Sequence, residues 1–177
     1  GSITYNAPST TYLSVSIKGR RAHAGVEPEK GISAIQVAAD AIARMTLGRI
    51  DEETVANVGT ISGGQARNIV PDVVELEGMV RSRSNEKLDR QVEAMVTILE
   101  EAASRWGATV TIDRDDIYRA YLIDFDSPPY REAARAAEAL GIPVRPRQSG
   151  GGTDGNVYNA AYLFGIDLFN GGYYWEA

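Results

Sequence analysis

One histidine, His23, stands in a polar loop, GRRAHAGVEPEKG, directly after a stretch that alternates like a strand. A lone loop histidine can take a functional role but is more often merely solvated. Asn68 and Arg81 come next: an amide before a strand and a guanidinium at its end. The planar Arg fork suits a carboxylate, and an amide donor suits a carbonyl. The plain alternative is a turn hydrogen bond for Asn68 and a solvated strand end for Arg81, with Arg83 as a weaker substitute. Gly150, Gly151, Gly152, Thr153 and Asp154 form a glycine loop ahead of a segment that could start a helix. Backbone N–H groups exposed by such a loop can hold a carboxylate or phosphate. Neither a Walker A nor a dinucleotide fingerprint is present, which argues against a nucleotide, and the rival reading is a tight loop with positive φ angles. Glu27 and Glu29 read as charges favoured by a helix start rather than an acid/base pair.

Several elements must position these groups. Tyr12 to Lys18 alternate, with Leu13, Val15 and Ile17 on one face. Ile32, Ile35, Ala39, Ile42 and Met45 recur at spacings of three and four, which predicts a helix ending near Gly48 with that stripe buried. Thr54 to Ile61 and Val73 to Arg81 read as strands joined by SGGQARNIVPD. Ser84 and Asn85 can cap a helix with the stripe Leu88, Val92, Met95, Leu99, Ala102 and Trp106, ended by Gly107. A strand follows from Thr109. The order β-α-β-β-α-β predicts a ferredoxin-like two-layer sandwich, an α+β arrangement, with both helices on one face of an antiparallel sheet. After about Asp116 comes a third helix, with Ser127 as cap, Pro128 at its first position and Gly141 past its end. VRPRQ, the glycine loop and a last apolar strand around Tyr162 to Phe169 complete a partial α/β unit too small to close its own core.

Of the 177 residues, 44% are hydrophobic and 24% charged, as in an ordinary globular protein. A formal charge of −6, with no basic run longer than Arg20-Arg21, predicts no nucleic-acid partner. No apolar run approaches the roughly 20 residues that span a bilayer, so no membrane partner is expected either. The absence of cysteine excludes disulfides and thiolate metal sites and points weakly to the cytoplasm.

Three segments, GRRAHAGVEPEKGISAIQVAADAIARM, NIVPDVVELEGMVRSRS and SGGGTDGNVYN, resemble the M20 metallopeptidases, specifically their peptidase T-like branch, in order and spacing. That resemblance implies a lid, or dimerisation, domain over residues 9–115, inserted into a zinc-binding catalytic domain represented by residues 1–8 and 116–177. It implies a zinc exopeptidase, an aminopeptidase acting on short peptides as a homodimer, with His23 reaching the partner subunit's site to bind the scissile carbonyl. Asn68, Arg81 and the Gly150 to Asp154 loop would hold substrate. The family's zinc ligands precede the lid, apart from a last His near the C-terminus, and none is found here, so no metal residue is assigned and the chain alone is expected to bind no zinc pair and to be inactive. AAYLFGIDLFNGG departs from the usual Gly-Ile-Pro pattern before the last strand. The rival from another class is a non-catalytic dimerisation or binding module.

Overall fold

The computed structural model describes residues 1–158. Its elements in chain order are β1 (Ser2–Ala7), β2 (Ser9–Lys18), β3 (Ala22–His23), a 3-10 turn (Pro28–Lys30), α1 (Ala34–Arg44), β4 (Gly48–Arg49) and β5 (Thr54–Gly63). They continue with β6 (Ile69–Val70), β7 (Val73–Ser82), α2 (Asn85–Trp106), β8 (Thr109–Tyr118), β9 (Tyr121–Leu122), α3 (Pro128–Ala139) and β10 (Arg145–Gln148).

The main sheet has the strand order β4-β5-β7-β2-β8, antiparallel throughout. Apart from the short β4, this is the ferredoxin-like order, with α1 and α2 on one face. Alternation in β2 turns Leu13, Val15 and Ile17 into the core, while Ser14 and Ser16 face outward and donate to Glu77 and Glu75 at 2.9 Å. The α2 stripe meets them: Leu88, Val92, Met95, Leu99 and Ala102 are all buried. Each fully buried Leu contributes about 2 kcal/mol. Ser84 caps this helix by accepting from the Lys87 N–H, and Gly107 closes it at φ 69°, a left-handed position that favours glycine. β8 runs past Asp115 to Tyr118.

Two expectations about buried faces are corrected. Trp106 is 40% exposed, and its indole N–H donates to the Asp40 carboxylate of α1 at 3.2 Å rather than reaching the core. In α1 the buried residues are Ala34, Val37, Ala38 and Ala41, whereas Ile35 is 42% exposed and Ile42 only partly covered. Small side chains let this helix lie close to the sheet and to α2, which turns its larger isoleucines to the outer margin.

The remaining elements form a three-stranded sheet, β10-β1-β9, with β10 parallel and β9 antiparallel to β1. α3 packs beside it through an aromatic chain of Tyr5, Phe125 and Tyr130 with centroids 4.8 and 4.9 Å apart, yet no residue of α3 is buried. The strand predicted around Tyr162 to Phe169 lies outside the described residues. No helix among the described residues is long and apolar enough to cross a membrane.

Candidate functional site

His23 and Asn68 are brought together by two strands too short to see in the sequence. β3 pairs with β6, so that His23 faces Ile69, and the Ala24 N–H donates to the Asn68 carbonyl at 2.9 Å. Both side chains are exposed. The His23 Nδ1 accepts from the Gly25 N–H at 3.1 Å, so the neutral ring carries its proton on Nε2 and presents a donor outward. Glu27 is paired with Lys30 across one turn, in line with a structural charge.

Arg81 lies at the opposite end of the lid. It is eight residues along β7 from Val73, roughly 26 Å at the rise of an extended strand, and its cross-strand partner is Thr10, which in turn pairs with Tyr118. The glycine loop lies over this row. A side chain added at Gly151 would reach within 3.8 Å of the Arg81 Nη1, and one added at Gly152 would collide with the Tyr118 hydroxyl at 1.8 Å. No glycine of the triplet has a positive φ, so the expected tight loop of left-handed residues is replaced by close approach as the reason for glycine at 152. Thr153 shares a 3.1 Å hydrogen bond with the Tyr121 hydroxyl, while Gly150 and Asp154 are exposed. Arg83 is engaged elsewhere, donating to the Glu52 carbonyl at 2.7 Å.

Two polar atoms at the Arg81 end, the Arg81 Nε and the Thr10 Oγ1, are buried with no hydrogen-bond partner among the described residues, and Thr10 is fully inaccessible. Buried polar atoms are nearly always satisfied, so this pair beside the glycine loop is an exception among the described residues. Beside it, the Arg114 guanidinium and the Thr11 hydroxyl hold the Asp116 carboxyl below the ordinary carboxylate range. Arg114 and Arg119 both reach Asp89 at 3.0 Å, which ties β8 and the following linker to α2.

Thr10, Tyr118 and the buried Asn156 escaped the sequence reading. Thr10 sits in a run of small hydroxyl residues with no periodic signal, and only the GGGTDGN segment hinted at Asn156. Among the described residues, no group of three or more His, Cys, Asp or Glu side chains could hold a metal ion. Glu93 and Glu101 are surface partners of Arg114 and Arg44. The described residues therefore do not fit a zinc site.

The peptidase dimerisation domain family matches residues 9–107. The uncharacterized protein YqjE of Bacillus subtilis is 43% identical over 89% of this chain and 42% of its own length. The structure of aminopeptidase PepT from Bacillus cereus superposes with a TM-score of 0.85 at 42% identity, over 90% of this chain and 43% of that one. A tripeptidase from Staphylococcus aureus gives 0.86 at 37% identity, over 91% and 43%. The chain thus spans about two fifths of the length of these relatives. A family match over more than half of its residues, on a lid of the expected topology, makes this chain a member of the M20 peptidase family that carries that family's dimerisation domain.

Proposed function

We propose that this chain supplies the dimerisation lid and one wall of the substrate site of a cytoplasmic zinc aminopeptidase acting on short peptides. The observation that carries the reading is the split of its candidate residues: His23 and Asn68 at one end of the lid, Arg81 and the glycine loop at the other. One subunit cannot bring both sets to one small substrate. A second copy can, if its lid presents His23 across the interface. His23 Nε2–H then donates to the scissile carbonyl oxygen, Arg81 holds a carboxylate, and Asn68 contacts the peptide backbone. Zinc, implied by the resemblance, would be held by residues elsewhere in the protein, and the chain alone is expected to hydrolyse nothing.

The sheet edges support self-association. β4 covers β5 only at Val55 and Ala56, which leaves the outer edge from Asn57 to Gly63 without a strand partner among the described residues and without a charged residue. The opposite edge, β8, carries Asp113, Arg114, Asp115 and Asp116, charges that discourage strand pairing. Ile61 pairs with the core residue Leu76, so it stands on the helix side of β5, yet it is 54% exposed. Gly64 places the tip of β5 beside Ile35. Ile35, which α1 turns away from its own core, therefore lies on the same margin as Ile61 and the open strand, where a second copy would cover both.

Mixed dimers of the full-length protein test this. His23→Ala should lower kcat about 100-fold, the loss of one carbonyl donor, and Arg81→Ala should mainly raise KM. A dimer with one subunit of each variant regains one intact site if His23 acts in trans. No recovery over the two parents would overturn the trans reading. A non-catalytic dimerisation module predicts the same association, broken by Ile61→Asp in sedimentation, but no chelator-sensitive peptidase activity in the full-length protein.

A further inference from the structure

The chain passes twice between the lid and the three-stranded unit, and at both passages the ladders are interrupted. β1 pairs with β9 as far as Ala7 and Tyr121, and β2 with β8 from Thr10 and Tyr118 onward. Pro8 and Arg119 fall between. Pro8 has no N–H to add to the ladder, and the Pro8 and Arg119 carbonyls at this crossing take a donor from outside both sheets. Asn156 is that donor. Its Nδ2 gives hydrogen bonds of 3.0 Å to the Pro8 carbonyl and 2.9 Å to the Arg119 carbonyl, and the residue is 5% exposed. Its Oδ1 accepts from the Thr153 N–H at 2.8 Å. Only this orientation of the amide is satisfied, since turning it would set an oxygen against two carbonyl oxygens.

The same contacts bracket the glycine loop. Its beginning is held where the Ser149 N–H donates to the Asn6 carbonyl at 2.8 Å, and Ser149 Oγ turns the loop by donating to the Gly151 carbonyl at 2.7 Å. Its end is held by Asn156 at Thr153. Gly151, between these anchors, is the residue against Arg81.

We propose that Asn156 is a positioning residue: one buried amide grips both passages between lid and three-stranded unit together with the Thr153 backbone, and so sets the glycine loop against Arg81. Substrate never touches Asn156. Any change in the angle between the two units is passed through it to the loop that faces the guanidinium. The kinetic part of this inference rests on the proposed role of Arg81, whereas the structural part does not.

Asn156→Asp in the full-length protein keeps the acceptor for Thr153 and removes both donated bonds. Asn85→Ala is the control, because Asn85 accepts from the Ala120 N–H at 3.0 Å and steadies the same crossing from α2 without touching the loop. Two hydrogen bonds lost at a buried site should raise KM for a tripeptide about tenfold in Asn156→Asp, with kcat changed far less, and Asn85→Ala should change KM less than twofold. In an Arg81→Ala background the Asn156 effect on KM should vanish. Hydrogen exchange supplies the second readout: the Gly151 and Gly152 amides should exchange about tenfold faster in Asn156→Asp, with the α2 amides from Val92 to Leu99 unchanged. Unchanged loop exchange, or equal loss of protection in α2, overturns the proposal, as does a KM effect that persists in full without Arg81. If Arg81→Ala itself leaves KM unaltered, the assigned role of Arg81 fails, and the exchange result still decides Asn156.

Discussion

α2 and α3 carry similar end signals in the sequence, since each has a Ser at its N-cap and a glycine beyond its last turn, although only Ser84 accepts a hydrogen bond from its helix. In the fold they differ completely. α2 buries Leu88, Val92, Met95, Leu99, Ala102 and Ala103 against the lid sheet, and α3 buries nothing. The lid therefore has its own core, whereas the three-stranded unit leaves Leu122 and Leu140 exposed at 70% and 74%. Periodicity announces that a face is apolar, but only the partner across from it decides whether that face stabilises anything.

The sharpest way to break this contrast is one deletion in each region. Leu99→Ala should destabilise the lid by about 3 kcal/mol, the usual cost of emptying a fully packed leucine site. Leu140→Ala, at an exposed position, should stay within about 0.5 kcal/mol. Thermal and urea melts of the chain check both, and comparable losses would show that the three-stranded unit shares the core after all.

A subtler pair uses backbone strain. Gly107 and Gly141 both sit past a helix end in the left-handed region, at φ 69° and 66°. Alanine at either position should cost about 1 kcal/mol locally. Only Gly107→Ala should lower the cooperative melt of the lid, because Gly141 ends a helix that is not part of that core.

The smallest effect is in acid. Asp51 lies in the turn before β5, where its carboxylate accepts from the Glu53 N–H at 2.9 Å and the Thr54 N–H at 2.8 Å and is paired with Lys87 at 3.2 Å. The Glu53 backbone bond is the main cause, with Lys87 and Thr54 assisting, of a pKa lowered from 3.8 to about 2. A carboxyl with a depressed folded-state pKa adds stability that is present above pH 3.8 and disappears as pH falls toward 2. Asp51→Asn should therefore flatten the acid side of the lid's melting-temperature profile in that window while leaving the neutral side nearly unchanged. An acid limb identical to the parent's would remove Asp51 from the account. Asp116, lowered in the same sense by Arg114 and Thr11, belongs to the passage between the two regions, so its replacement should affect the lid less.

Much of the lid was legible because its signals are local. β2 alternates, α2 carries six apolar residues in step with its turn, and Ser84 and Gly107 mark its ends in residue types that suit those positions. The α1 stripe misled because spacing identifies two neighbouring faces of one helix without saying which is inward. Volume decided that: Val37 and three alanines fit under the sheet, Ile42 packs at its margin and Ile35 is left exposed. The candidate site was legible as residue types and not as an arrangement. His23, Asn68 and Arg81 stand 45 and 13 residues apart along the chain. Nothing in that spacing says that the first two meet through a pair of two-residue strands while the third lies at the far end of β7.

By itself, then, the sequence determined the element order, the long helix α2 with its caps, the inward face of β2 and the identity of the polar groups available for chemistry. These depend on hydrogen bonds and side-chain periods within a few turns of chain. Tertiary structure alone decided which isoleucines are left at the open edge of β5, how the glycine loop comes to rest on Arg81, and that a single amide, Asn156, is shared between Pro8, Arg119 and Thr153. Those outcomes depend on which surfaces remain uncovered after the helices settle and on which carbonyls at the crossing take a donor from outside both sheets, and contacts spanning as many as 148 residues of chain set both.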